Sequence, residues 1–497
     1  MKQKNASEEH HPVIVKDTDT VFFPERQRVI LRPHIPFNNI RIERIISRVL
    51  ALDDHSIQKE FKEVIDKFSK RHHNFEDLLE RQFDSLRRFM PSDVLPSRER
   101  RLLIGSFFLS EYSFESVALF NPSIVPHPDQ TGLSESTLRF ILTMRATGEG
   151  HFSSLKFRSG CIDKNSNISI DEGSDFASTA EMRENPIYDK TFFARKLREL
   201  GVCSDFSNFI INSLPDEFTF SELMDRVKVQ VYNNQPLSEV DNIARQKIEW
   251  LARCNYEAHF EPLVPLSERV LFPLSPSEQN GIEDARFVLF TDDNGRKKYY
   301  ATYTAYDGKA ILPQLMETDD FVHFKIITLN GSAAVNKGMA MFPRRIDGRY
   351  AMISRQDGEN LFLMYSDNLH FWHEIVPLMK PSYPWEFMQI GNCGSPIETE
   401  KGWLLLTHGV GPVRQYSIGA ILLDIEDPSK ILGRLKEPLI KWNENTRSGY
   451  VPNVVYTCGA LTHEDTLVVP YARSDQQITI SLISLSALIE KLLHETS

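Results

Sequence analysis

The sequence predicts a mainly β protein with an N-terminal α-helical region and a helical insertion, and three observations predict it. Short strand-like runs separated by turn residues dominate after residue 113. Apolar residues recur at helical spacing before residue 112 and again between about 163 and 255. One motif returns 48 residues after its first appearance. At 497 residues, 41% apolar and 25% charged, the chain is long enough for two or more cores and too apolar to be disordered as a whole.

Taken in order, residues 1–26 are polar and aperiodic and are expected to be loose, with a strand candidate over 28–32. Residues 27–112 form a helical region. Ile42, Ile45, Ile46, Val49 and Leu50 share one helical face, Phe61, Val64, Ile65 and Phe68 the next, and Leu78, Leu79, Phe83 and Leu86 a third. Asn74, with Asp77 three residues on, reads as the N-cap of that third helix. From 113 to 497 the pattern is strand and turn. Runs at 117–120, 138–144, 287–290, 298–304, 350–354, 361–365, 403–407, 418–423 and 466–471 have strand length and composition, with Asp293-Asn-Gly295, Asp307-Gly308 and Asp347-Gly348 as turns. A charged, helix-like stretch over about 163–255 interrupts them, clearest at 192–200 and 240–251, and residues 482–493 read as a closing helix.

The repeat bears on architecture. Thr318-Asp-Asp-Phe-Val-His-Phe324 and Ser366-Asp-Asn-Leu-His-Phe-Trp372 each follow a strand pair, and Leu423-Asp-Ile-Glu-Asp-Pro428 occupies a comparable place. A period of that size suggests propeller blades of four strands, although similar hairpin turns in a sandwich would look the same. About 290 strand-bearing residues leave room for five blades.

Charge and cysteine usage narrow the function. A net charge of −11 argues against a protein held on nucleic acid by phosphate contacts. Residues 1–11 contain no apolar stretch that could act as a signal peptide, and no run of 18 apolar residues follows, so the expectation is a cytoplasmic protein without a membrane partner. Cys161, Cys203, Cys254, Cys393 and Cys458 are scattered and never form C-x-x-C, which indicates neither a disulfide framework nor a zinc site. No metal or cofactor is expected.

The chemistry centres on Glu283-Asp284, just before Arg286 at the start of a strand. Adjacent strand residues point to opposite faces, so one of the two carboxylates is expected to face a pocket. Arg355 ends a strand, Lys337 precedes Met341-Phe-Pro343, and His408 ends another strand with Arg414 shortly after. Basic residues beside one carboxylic acid suit phosphorolysis, in which phosphate replaces water and the protein must hold an anion. Arg145-Ala-Thr-Gly-Glu-Gly-His151 lacks the spacing of a nucleotide-binding loop and reads as a loop beside the substrate, with Glu149 and His151 as candidates for a hydrolytic base or a sugar contact.

Several motifs together resemble glycoside hydrolase family 130, which contains inverting β-mannoside phosphorylases and β-mannosidases on a five-bladed β-propeller. They are Phe120-Asn-Pro-Ser-Ile-Val125, Gly281-Ile-Glu-Asp-Ala-Arg286, Tyr300-Ala-Thr-Tyr-Thr-Ala-Tyr306, Lys337-Gly-Met-Ala-Met-Phe-Pro343, Ile390-Gly-Asn-Cys-Gly-Ser-Pro396, Gly402-Trp-Leu-Leu-Leu-Thr-His-Gly409, Tyr450-Val-Pro-Asn-Val-Val455 and Tyr471-Ala-Arg-Ser-Asp475. The resemblance implies that Asp284 is the catalytic acid, donating its proton by way of a sugar hydroxyl. It implies that Asn121 and Asp475 bind substrate and that Lys337, Arg355 and His408 bind phosphate as co-substrate; Arg145 and Tyr416 are further candidates for substrate contacts. Glu149 is then an alternative base for hydrolysis.

Three positions depart from the family pattern. Ala285 replaces a usual proline, Lys337 replaces a common arginine and so offers a point charge for a fork, and Gln389 stands where phosphorylases typically carry lysine. The chain thus falls between the phosphorylase and hydrolase patterns. Its expected partners are a β-mannoside oligosaccharide and phosphate, with a homo-oligomer formed through the helical additions. A non-catalytic sugar-binding propeller is the alternative from outside enzymology.

Overall fold

The computed structural model describes residues 13–91, 94–184, 187–444 and 447–495. Among the described residues, most of the strands after residue 113 form five antiparallel meanders. The first comprises Ala118–Pro126, Leu138–Thr147, Ser153–Ile162 and Ile168–Ile170, and the second Gly281–Thr291, Lys297–Tyr306, Ile311–Thr318 and His323–Thr328. The third comprises Ala340–Met341, Tyr350–Ser354, Leu361–Ser366 and Glu374–Met379, and the fourth Gln389–Asn392, Gly402–Val410, Tyr416–Leu423 and Ile431–Arg434. The fifth, Val455–Tyr456, Thr466–Arg473 and Gln477–Ser484, takes its outer strand from the other end of the chain, Val15–Phe22. The first two meanders share one twelve-stranded sheet, joined where Gly281 pairs in parallel with Ser153.

Each meander packs on the next. Phe157 and Ile141 of the first meet Phe287 and Tyr303 of the second, whose Val288 and Phe290 meet Met341 and Met352 of the third. Ile353 and Leu363 of the third meet Trp403 and Leu405 of the fourth, whose Leu404 and Leu406 meet Leu467 and Val469 of the fifth. Ile478 and Ile480 of the fifth return to Phe140 and Leu142 of the first, so the packing closes into a ring. Strand alternation explains why Gly402–Val410 is buried at every position: odd and even residues serve different neighbouring sheets. Each buried leucine or valine there contributes about 1.5–3 kcal/mol.

The repeated motif lies in the turns between third and fourth strands. Thr318 Oγ1 accepts from Phe321 N at 2.9 Å, Ser366 Oγ from Asn368 N at 3.0 Å, and Asp424 Oδ1 from Asp427 N at 2.9 Å. Asp163 caps the same turn of the first meander, accepting from Asn165 N at 2.8 Å. Side-chain acceptors there replace backbone partners in a tight turn.

Four expectations change. Residues 1–12 of the loose terminus lie outside the described residues, but Val15–Phe22 is a strand, held where Asp17 pairs with Arg473 and accepts from Ser481 Oγ at 2.5 Å. Its polar residues lack an apolar face of their own, and the partner strand lies more than 450 residues away. Asn74 occupies the N-cap position of Phe75–Ser85, yet its backbone is left-handed (φ 49°) and its side chain makes no capping bond. The insertion is helical only from Lys190, in helices Lys190–Glu199, Asp205–Asn212, Phe220–Asn233 and Glu239–Arg253; before that, alternating Ile168-Ser-Ile170 joins the first meander. The closing helix runs Leu485–Glu495, because Asp465 Oδ1 accepts from Ser486 N at 2.9 Å and sets its start, leaving residues 482–484 in the strand.

The N-terminal helices Asn39–Leu50, Asp54–Phe68, Phe75–Ser85 and Arg98–Ser106 bury Ile42, Ile46, Val49, Ile57, Phe83, Leu103 and Ile104 among themselves. Asn38, Asp53 and Ser97 cap three of them. A two-stranded ribbon, Ile30–Pro33 with Leu109–Tyr112, connects this region to the first meander.

Candidate active site

A cavity of about 290 Å3 is lined by Phe120, Asn121, Arg145, Glu283, Asp284, Lys337, Arg355, His408, Arg414, Tyr416, Tyr450, Val451, Val454, Tyr456 and Asp475, drawn from all five meanders and their connecting loops. Two local distortions build its floor. The strand Gly281–Thr291 slips register between Glu283 and Arg286, and Asp284 there takes φ +56°. The strand Ala118–Pro126 slips between Phe120 and Ser123, and Asn121 takes φ +48°. The two meet: Asn121 Nδ2 donates to Asp284 Oδ1 at 2.5 Å.

The bulge overturns the expected division of Glu283 and Asp284 between two faces. Both line the cavity, and Arg145 spans them, donating through Nη1 to Asp284 Oδ1 at 2.9 Å and through Nη2 to Glu283 Oε1 at 2.8 Å. Arg286 supports the bulge from behind, donating to Asp284 O at 3.0 Å and to Tyr456 Oη at 2.8 Å. Arg145 itself lies in the strand Leu138–Thr147, with its guanidinium 4.7 Å above the Phe120 ring; the loop proper begins at Gly148.

Charge around Asp284 is uneven. Burial works to raise its carboxyl, but Arg145, Lys337 and Arg286, with the Asn121 bond, outweigh it and hold the group well below the usual carboxylate range. Asp475 behaves oppositely. Burial and the nearby Asp284 charge, opposed by Arg145 and Arg414, push it up to about 7, and its Oδ1 is buried without a hydrogen-bond partner. Asp475 and Ser474 are both left-handed (φ 49° and 51°) in the turn before Gln477–Ser484.

Burial, then Arg355 and Arg286, press His408 well below the ordinary imidazole range, so it is neutral rather than a cation. Its Nδ1 lies 3.2 Å from Asn392 O and its Nε2 lies 3.1 Å from Arg355 Nη1. A proton on Nδ1 serves the carbonyl and leaves Nε2 to accept from Arg355. Gly391 makes room for the ring, since a Cβ there would come within 2.3 Å of His408 Cε1. Gln389, with its amide oxygen toward Arg355, accepts from the same guanidinium. Tyr416 stacks on His408 with ring centres 5.8 Å apart. Lys337 makes no hydrogen bond or ion pair with the described residues.

Asn121, Arg145, Asp284, Lys337, Arg355, His408, Tyr416 and Asp475 thus share one cavity. Glu149 does not line it: the residue is exposed and its backbone oxygen accepts from Tyr112 Oη at 2.8 Å. Sequence reasoning passed over Tyr450, Tyr456 and the inward turn of Glu283. A bulge without glycine leaves no local signal, and the aromatic residues are placed by packing between sheets. Among the described residues no cluster of three or more His, Cys, Asp or Glu is placed to hold a metal ion, and no helix is long and apolar enough to cross a membrane.

The sequence model of a family described as beta-1,4-mannooligosaccharide phosphorylase matches residues 246–494. That stretch leaves out Asn121 and Arg145. The 1,2-beta-oligomannan phosphorylase of Thermoanaerobacter sp. (strain X514) is 32% identical over 231 residues, covering 44% of this chain and 74% of that protein. The beta-1,2-mannobiose phosphorylase of the same organism is 37% identical over 217 residues, covering 42% and 68%. Among solved structures, the beta-1,2-mannobiose phosphorylase of Listeria innocua in complex with beta-1,2-mannobiose aligns with a TM-score of 0.45 at 20% identity, covering 76% of this chain and 93% of that one.

Proposed function

This chain belongs to glycoside hydrolase family 130, and we propose that it cleaves a β-mannoside with inversion, using inorganic phosphate and releasing mannose 1-phosphate. The observation that carries the reading is Lys337, a cation beside Asp284 that pairs with no carboxylate among the described residues, next to Arg355 in the same cavity. We read the closed ring of meanders as a five-bladed β-propeller with this site at one end of its channel.

In this mechanism a phosphate oxygen held by Lys337 and Arg355 attacks C1 of the mannosyl unit while the bond to the leaving sugar breaks. The leaving oxygen takes its proton from Asp284, relayed by a hydroxyl of the mannosyl ring as the family resemblance implies. Asp284 can give a proton only once it has gained one, and its surroundings hold it as an anion. Phosphate resolves this: its charge offsets Lys337, loosens that cation's hold on the carboxylate, and lets Asp284 take up a proton as the anion binds. Neutral His408 holds Arg355 in place. Gln389 orients the same guanidinium without adding charge, so phosphate affinity is weaker than with a lysine there.

Hydrolysis is the second reading. Asp475, with its unpartnered buried oxygen, and Glu283 both line the cavity and offer a base for water. Incubation with β-1,2- and β-1,4-mannobiose, with and without phosphate, decides between them by product. Mannose 1-phosphate supports phosphorolysis, and phosphate-independent release of mannose alone overturns it. No turnover, with sugar binding unchanged in Asp284→Asn, points instead to a non-catalytic sugar-binding propeller. A homo-oligomer through the helical additions and a cytoplasmic location belong to the same reading; light scattering of the full chain and cell fractionation test them.

A further inference from the structure

The N-terminal region reaches the cavity through one loop. Tyr112, at the end of the ribbon, donates to Glu149 O at 2.8 Å, and a Cβ on Gly148 would lie 2.6 Å from the Tyr112 hydroxyl and 2.3 Å from Ser113 O. Only glycine lets the loop seat so closely on the ribbon. Arg32, on the partner strand, lays its guanidinium over Tyr112 at 4.7 Å, Phe152 at 5.2 Å and Phe272 at 4.7 Å, clamping both ends of the loop. Gly150 and His151 then turn through left-handed backbone (φ 72° and 62°), and His151 Nδ1 meets Tyr450 Oη at 2.8 Å with the rings stacked 5.7 Å apart.

Tyr450 lines the cavity, stays 38% exposed, and lies 6.1 Å from Phe120, over which Arg145 holds Asp284. The ring order of the meanders gives this placement its meaning. Lys337 and Arg355 belong to the third meander, while Phe120 and the His151 loop belong to the first and Tyr450 leads into the fifth. The junction of first and fifth lies opposite the third. An inverting displacement needs its nucleophile and its leaving group on opposite sides of C1.

We propose that Tyr450, held by His151, is the platform on which the leaving sugar stacks, and that the N-terminal region sets acceptor specificity through this loop. The proposal rests on the mannoside-cleaving reading above. A half-exposed aromatic ring with one polar tip fixed suits the apolar face of a pyranose.

Calorimetric titration in the Asp284→Asn background, where no turnover intervenes, tests it with β-1,2-mannobiose, β-1,4-mannobiose and mannose. Tyr450→Ala is expected to weaken the tighter mannobiose about tenfold while leaving mannose unchanged. Tyr450→Phe, His151→Ala and Tyr112→Phe, which leave the Tyr450 position aromatic and only free the loop, are expected to weaken it several-fold. Equal losses on mannose and mannobiose, unchanged mannobiose affinity in all four variants, or no sugar binding by the parent each overturn the platform. Turnover by the wild type is measured separately. Absent turnover with this binding pattern removes the phosphorolysis reading and leaves the platform, whereas turnover with unmoved affinities does the reverse.

Discussion

Asp284 and Asn121 both adopt left-handed backbone without being glycine, at a cost on the order of 1–3 kcal/mol each. What holds them there is their mutual hydrogen bond, Arg145 and the Arg286 prop. Asp284→Asn preserves much of this geometry and, on the proposed role of Asp284 as the acid, removes the proton it donates, so kcat is expected to fall by about 10^2–10^4 with mannobiose affinity nearly unchanged; steady-state kinetics with titration checks both. Asp475 supplies a pH test. Its folded-state value is raised from 3.8 to about 7, so the stability it contributes is complete below about pH 4 and is lost as pH rises toward 7. Asp475→Asn removes that loss, and the gap in Tm between variant and wild type should widen in the variant's favour from pH 5 to pH 8. A constant gap would contradict the shift. Gly391→Ala drives a methyl into His408 and so loosens Arg355; KM for phosphate should rise roughly tenfold while KM for the sugar moves little.

The element that departs most from expectation is Val15–Phe22. Its polar, aperiodic sequence gave no reason to expect order, but the segment completes the last meander by pairing with Gln477–Ser484. Asp17 accepts from Tyr471 and Ser481 and pairs with Arg473, tying three strand positions to one carboxylate. Asp17→Ala is expected to cost about 1–3 kcal/mol and to lower Tm by several degrees in thermal unfolding. The outer turns stand at the other extreme. Their Ser, Thr, Asp and Asn residues act within three positions of themselves, which is why the repeat was legible while the strand it closes was not.

Across the whole molecule, the N-terminal region and the first meander are fastened by a buried charge cluster. Arg28 donates to Glu115 at 3.1 Å and to the carbonyls of Phe176 and Ser267, and Lys156 donates to the other Glu115 oxygen at 2.6 Å. Arg28 and Glu115 are fully buried and Lys156 nearly so. Removing one charge strands the others, so Glu115→Gln is expected to cost about 3–5 kcal/mol in denaturant unfolding and to loosen the ribbon that carries Tyr112. Limited proteolysis should then cut first between the helical region and the first meander; cleavage elsewhere, with wild-type stability, would count against a fastening role.

The sequence by itself determined the mainly β class, the helical N-terminal region, the strand runs and the motifs that bring eight of ten candidate residues to one cavity, leaving out Glu149 and His151. These depend on periodicity and on residue types acting over a few positions. Only the tertiary structure decided that Glu283 and Asp284 face the same way, that His408 is neutral, that Glu149 lies outside the cavity, and that Val15–Phe22 is ordered. Each of those follows from a bulge, a burial or a strand pairing between residues far apart in the chain. Burial and long-range charge set a carboxylate's proton affinity, and neither can be read from its sequence neighbours.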